Sequence, residues 1–179
     1  MAIHRTRGTV SSRLVEAIDL VPTFLDAYES WLSRHRLEGR SLLPLIRRAA
    51  GAPEPGAAGA PEPVAWRDAV LSELDYAFYE AREITGRGAS DSRAYMLRTE
   101  RWKYIHYKGY RPQLFDLTED PDELVDLGVS VAHDGVRRDM HACLLDRLTD
   151  RRNRITVDDE WVLSARARES KVGVIIGRW

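Results

Sequence analysis

The chain reads as an α+β protein: a small antiparallel sheet of three to four strands, a C-terminal helix packed on it, and helical segments ahead of the sheet. Three observations predict this. Residues 94–99, 102–107 and 113–117 are short runs rich in aromatic and aliphatic side chains, separated by only a few residues. Links that short permit antiparallel pairing, because a parallel crossover needs a dozen residues or more. Finally, Val136, Met140, Cys143, Leu144 and Leu148 recur at helical spacing along one stripe.

In chain order, residues 1–8 are polar and irregular, and residues 9–12 form a short strand or a cap. Leu14, Ile18, Val21, Leu25 and Tyr28 then fall at helical spacing. Pro22 interrupts that run, so the helix proper is expected from Pro22 onward, with Asp19 as its cap. Leu20, Phe24 and Ala27 widen its apolar face beyond what one neighbour would cover. Residues 41–48 give a second short helix, capped by Ser41, with Pro44 in its first turn and Arg47 and Arg48 at its end. Residues 51–63, GAPEPGAAGAPEP, are a Pro/Gly/Ala-rich surface loop that buries too little to order itself.

Residues 69–74 alternate as a strand, and residues 82–91 are polar and Gly-rich, hence a loop. In 102–107, Trp102, Tyr104 and His106 share one face and Lys103, Ile105 and Tyr107 the other. The link between 94–99 and 102–107 lacks the Asn-Gly of a primed turn, so the hairpin rests on its strands. Asp120-Pro121-Asp122-Glu123 has the pattern of a helix start, with Glu123 reaching back. The final helix spans about 134–151, capped by Ser130 or Asp134. A polar-aromatic segment, 158–163, and a strand-like end, 171–179, close the chain.

Composition narrows the function classes. With 44% hydrophobic and 31% charged residues in 179, the chain has the make-up of a globular protein with a core of its own. A net charge of −1 gives no overall attraction to nucleic acid or an anionic membrane. Lys103, Lys108 and Lys171 are the only lysines, so nearly all cations are arginines, which suit fixed carboxylate pairs. Cys143 stands alone, so no intrachain disulfide forms and no thiolate metal site is indicated. No signal peptide is expected at the start, and Val174-Ile175-Ile176 is far too short to span a bilayer. The expected location is cytoplasmic.

Several clusters bring together residue types that can do chemistry. Asp116, Glu119, Asp120, Asp122 and Glu123 lack calcium-loop spacing and carry Pro121 where such a loop must turn freely, so they read as turn and cap. His133 and His141 are eight apart, not the four that zinc wants on a helix, even with Cys143 nearby. His106 reads as a packing histidine, with substrate contact as the alternative. Tyr76, Phe78, Tyr79 and Tyr95 rim a pocket or join core and interface, the latter being commoner for strand aromatics. Arg137-Arg138 and Arg151-Arg152 read as solvated faces rather than a nucleic-acid patch.

The segment from Arg98-Thr99 through Arg101-Trp102-Lys103-Tyr104-Ile105, Leu114-Phe115-Asp116-Leu117, Asp120-Pro121-Asp122-Glu123-Leu124 and Asp126-Leu127 resembles the C-terminal subdomain of the sulfatases. Its closest branch is the phosphonate monoester hydrolases, in the alkaline phosphatase superfamily. Residues 16–26, EAIDLVPTFLD, and 39–45, GRSLLPL, resemble the segment that ends the family's large catalytic domain. The two matches stand in the family's order.

The resemblance implies a formylglycine made from Cys or Ser in a Cys/Ser-x-Pro/Ala-x-Arg motif, and one divalent metal. Cys143 lies in Cys-Leu-Leu-Asp-Arg and Ser12 is followed by Val15 and Glu16, so neither fits. No Asp-His-Gly stretch occurs. No catalytic, cofactor-binding or metal-binding residue is therefore assigned, and no cofactor is expected in the chain itself. The expected organisation is 1–50 from the end of a sulfatase-like catalytic domain, 51–63 as loop, 64–151 as sheet-and-helix subdomain, and 152–179 as tail. The functional reading is the C-terminal part of a hydrolase of sulfuric, phosphate or phosphonate monoesters, giving structural support and cleft wall and inactive by itself. Its partners would be the missing N-terminal catalytic domain and, through the tail, further copies of itself, with no nucleic acid and no membrane. A non-catalytic binding or oligomerisation module is the alternative. The apolar faces of 14–28 want the missing domain, so residues 1–50 are expected to dock loosely on the rest.

Overall fold

Four strands hydrogen-bond side by side in chain order: β1 Val70–Asp75, β2 Arg93–Arg98, β3 Trp102–Tyr107 and β4 Gln113–Asp116. All three pairings are antiparallel, and between β2 and β3 and between β3 and β4 the short links require it. The computed structural model describes residues 10–30, 32, 34–49, 66–78, 80–150 and 156–168. Among the described residues five α-helices accompany the sheet: α1 Leu20–Ala27, α2 Leu43–Ala49, α3 Glu80–Thr85, α4 Asp134–Thr149 and α5 Asp159–Arg168.

Register builds the core. Leu71 stands opposite Leu97, Leu97 opposite Tyr104, and Tyr104 opposite Leu114. Because side chains alternate, this row shares one face of the sheet. Helix α4 lays Met140 and Leu144 on it, with Val136, Cys143 and Leu148 at the margin. Leu97, Leu114 and Leu144 are fully buried, each stabilising the fold by about 2 kcal/mol. The predicted stripe on 134–151 is the stripe that packs.

The tight turn between β2 and β3 uses Thr99 in place of Asn-Gly. Its Oγ1 accepts the Trp102 N–H at 2.9 Å, and its own N–H reaches the Trp102 carbonyl at 2.8 Å. Arg101, projecting from that turn, grips Asp116 of β4 with Nη2 at 2.7 Å. The hairpin is thus closed by side-chain hydrogen bonds rather than by left-handed backbone.

Local structure departs from the expectations, or adds to them, at several points. Asp120–Glu123 does not start a helix: the Asp120 carboxylate accepts the Val125 N–H at 2.8 Å, and Glu123 sits at φ 59°, a conformation no helix continues through. Glu123 pairs with Lys103 instead of reaching back. Residues 82–91 are not simply loop, since α3 runs to Thr85 and ends at Gly86, whose φ of 63° suits a helix stop, and a 3₁₀ turn covers Ala89–Asp91. The segment 158–163 opens α5, with Asp158 accepting the Trp161 N–H at 2.7 Å as an N-cap does. Helix α4 itself starts after a 3₁₀ turn, Val131–His133, with neither Ser130 nor Asp134 as its side-chain cap. Residues 9–12 are irregular where described, and the loop 51–63 and the end 171–179 lie outside the described residues.

Helix α1 begins at Leu20, not Pro22, which occupies the first turn where its missing N–H is no loss. Nor does Asp19 cap it through its side chain. That carboxylate has other work.

Candidate functional site

Asp19 is fully buried between the N-terminal segment and the sheet. Arg67, just ahead of β1, clasps it with two parallel hydrogen bonds of 2.6 and 2.7 Å. The same carboxylate accepts the Arg40 N–H at 2.7 Å and the Glu16 N–H at 2.8 Å. Burial alone would push the Asp19 carboxyl up. The Arg67 fork and the two backbone donors outweigh it, holding the group below the usual carboxylate range. Glu16 continues the network: its Oε2 meets Arg67 Nη1 at 2.9 Å, and its Oε1 accepts the Leu71 N–H at 2.6 Å and Arg147 Nη2 at 3.2 Å. Arg147 lies on α4, so helix, strand and N-terminal segment meet here.

Backbone contacts tighten the same junction. Thr23 Oγ1 donates to the Asp19 carbonyl at 2.5 Å and accepts the Leu42 N–H at 2.8 Å. Trp66 Nε1 donates to the Leu14 carbonyl at 2.8 Å. At Gly39 any Cβ would overlap the Ile18 carbonyl oxygen. The expectation of loose docking is therefore wrong for residues 14–43, which are held by a buried ion network. The expectation of exposed apolar surface holds: Ile18, Leu20, Val21, Phe24 and Tyr28 face outward.

The residues weighed for chemistry fall in separate places. Asp116 is spent on Arg101, whose hydrogen bonds hold its carboxyl below the ordinary range. Glu119 and Asp122 are exposed on the turn. Among the described residues, no three His, Cys, Asp or Glu side chains gather closely enough to hold a metal ion. His106 and His141 do meet, with ring centroids 5.1 Å apart, and the Tyr104 hydroxyl shares a 3.1 Å hydrogen bond with His141 Nδ1. Burial, helped by His141, lowers the His106 pKa and keeps the ring neutral. His133 stacks edge-on against Trp102 and shares a hydrogen bond with Ser130. Cys143, on α4, is half-buried, and burial pushes its thiol up, the reverse of an activated nucleophile. Arg137 pairs with Asp134 and donates to the Ser130 carbonyl, while Arg138 is exposed. Arg151 and Arg152 lie outside the described residues.

The aromatics divide. Tyr95 packs against the core and Phe78 is 97% exposed, while Tyr79 lies outside the described residues. Tyr76 meets Tyr107 edge-to-face at 6.5 Å. Together with Leu74, Thr85, Tyr110 and Gln113 they line a half-open cavity of about 380 Å³, flanked by Arg87 and Arg111. Sequence reading found Tyr76 but neither arginine, because strand alternation says nothing of side chains carried on loops.

A four-strand antiparallel sheet is crossed by one C-terminal helix, and a preceding helical segment is clamped to its first strand. The family model described as N-sulphoglucosamine sulphohydrolase, C-terminal, matches residues 3–151. The chain belongs to that family. Arylsulfatase K of Gallus gallus is 36% identical over 121 residues, 66% of this chain and 19% of the relative. The multifunctional alkaline phosphatase superfamily protein PehA of Trinickia caryophylli is 29% identical over 142 residues, 76% of this chain and 24% of the relative. The crystal structure of the phosphonate monoester hydrolase of Agrobacterium radiobacter superposes with a TM-score of 0.63 at 30% identity, covering 79% of this chain and 26% of that one. The chain thus spans about a fifth to a quarter of the length of these relatives. The family implies a divalent metal and a formylglycine in the full-length hydrolases. The described residues fit neither, since no three-ligand group is gathered and the half-buried Cys143 lies outside the required motif. No helix among the described residues is long and apolar enough to cross a membrane.

Proposed function

We propose that this chain is the C-terminal part of a hydrolase of sulfuric, phosphate or phosphonate monoesters, in which it supplies structural support and a wall of the cleft. The nucleophile and metal ligands come from the rest of that protein, and no cofactor is held by the present residues. One observation carries this reading. The ion network of Glu16, Asp19, Arg67 and Arg147 fixes α1 to the sheet while leaving Leu20, Val21 and Phe24 turned outward. A helix held that firmly by one side, with apolar residues on the other, suits a helix shared between two packed domains. The matched relatives have some four-fifths of their length to provide the second one.

Mixing the chain with the separately expressed N-terminal remainder of such a hydrolase tests the proposal. Restored turnover of an aryl sulfate or phenyl phosphonate ester is the expected result. Absence of any association would favour a stand-alone binding or oligomerisation module, as would self-association of the full chain that is lost when it is stopped at Ser170.

A further inference from the structure

The cavity beside α3 has a chemistry the proposed role does not use. The edge-to-face pair Tyr76 and Tyr107 lines it together with Tyr110 and Leu74. Tyr107 donates its hydroxyl to Gln113 Oε1 at 2.8 Å, and burial raises its pKa, so the phenol stays neutral. Arg87 is turned to the Gly109 carbonyl, and the nearby Asp91, paired with Lys108, partly offsets its charge. Arg111 has no ion-pair or hydrogen-bond partner among the described residues and stands at the cavity wall. Among the described residues no carboxylate lines the cavity.

A cavity of about 380 Å³ walled mostly by ring faces and aliphatic carbon takes one planar ring with room for a substituent. Tyrosine edges and faces favour an aromatic guest in offset or edge contact. An unpaired guanidinium at the wall adds a planar fork that matches a carboxylate or phosphate, and it favours a negative guest over a neutral one. We propose that this cavity is a binding site for a small aromatic anion, its ring against Tyr76, Tyr107 and Tyr110 and its charge at Arg111. The site is independent of the hydrolase reading, because binding is measured on this chain alone and asks for no turnover.

The probe is 4-fluorobenzoate, followed by ¹⁹F line broadening on the full chain, with 4-fluorophenol and acetate as controls for ring without charge and charge without ring. A guest this small should saturate with a dissociation constant of about 1 mM. Arg111→Met should weaken 4-fluorobenzoate about tenfold and leave 4-fluorophenol unchanged, and Tyr110→Ala should weaken both. Both side chains are exposed, so an unaltered melting transition is expected to accompany the loss. Added salt gives a reading on the unmodified protein: it should weaken the benzoate and not the phenol. The proposal is overturned by equal affinity in Arg111→Met, by acetate competing as well as benzoate, or by no saturation below about 10 mM.

Discussion

Asp19 shows how one side chain governs the junction. Its carboxyl titrates below the value it would have in the unfolded chain, so in acid the unfolded state binds the extra proton. The stabilisation is present above about pH 4, the unfolded value, and drains away as pH falls through the folded one. Asp19→Asn should therefore be less stable at neutral pH and show a shallower acid limb in urea midpoints measured from pH 7 to pH 3. Arg67→Met is harsher, because it strands a buried carboxylate. A loss of about 3 kcal/mol is expected, or roughly 10 °C in melting temperature for a chain of this size. His106 titrates in a different window. Burial lowers its pKa, so its contribution is complete above about pH 6.5 and is lost as pH falls toward the folded value. His106→Gln should flatten that part of the profile while leaving the more acid part unchanged. At this scale the sequence was least legible. Asp19 has the local signature of a helix cap, and its partner Arg67 lies 48 residues away with no pattern linking them. Pairing of that kind is a tertiary fact that neither periodicity nor spacing encodes.

Secondary-structure elements were far more legible, for a physical reason. All four strands and α4 draw their stability from one packed face, and a packed face leaves a period in the sequence. Leu144 sits at the centre of that face, and Leu144→Ala should cost about 3 kcal/mol by leaving a cavity against Leu97 and Leu114. Denaturant unfolding would detect the change as a lower midpoint at unchanged slope. The short elements were misread where a side chain took a competing partner. Asp120 spends its carboxylate on Val125 and so has none left for a helix, and Thr99 closes a turn that its neighbours' identities did not announce. Gly39 was visible as a glycine, but its reason, the Ile18 carbonyl lying where a Cβ would go, was not. Gly39→Ala should loosen α2 from α1 and lower stability by about 2 kcal/mol.

For the molecule as a whole, the fold class and the family were both readable, and the attachment of residues 14–43 was not. The apolar stripe on α1 signals a partner, and the sheet is not the partner that covers it: the sheet holds this segment through ions, and the outward apolar residues remain uncovered. Removal of residues 1–50 should therefore lower the melting temperature of the remainder by well over a few degrees, since it strips the ion-pair partners from Arg67 and Arg147 and uncovers the surface they share with the sheet. A calorimetric scan of the shortened chain checks this. The isolated full chain should hydrolyse no sulfate, phosphate or phosphonate ester above buffer background, with or without manganese, calcium or zinc. Metal-dependent, saturable turnover by highly purified chain would overturn the division of labour proposed above.

Glu16 also answers a hazard that comes with the sheet's design. Strand β1 is terminal, and the backbone of a terminal strand is a template on which a second chain can add itself. The Leu71 N–H is one of the groups a newcomer would need, and the Glu16 carboxylate already holds it. A carboxylate fixed at that margin by Arg67 and Arg147 refuses an incoming strand by occupying the donor it would need. Glu16→Ala should thus do more than weaken the junction: it should turn a well-behaved protein into one that aggregates through β1, visible as rising light scattering well below its melting temperature.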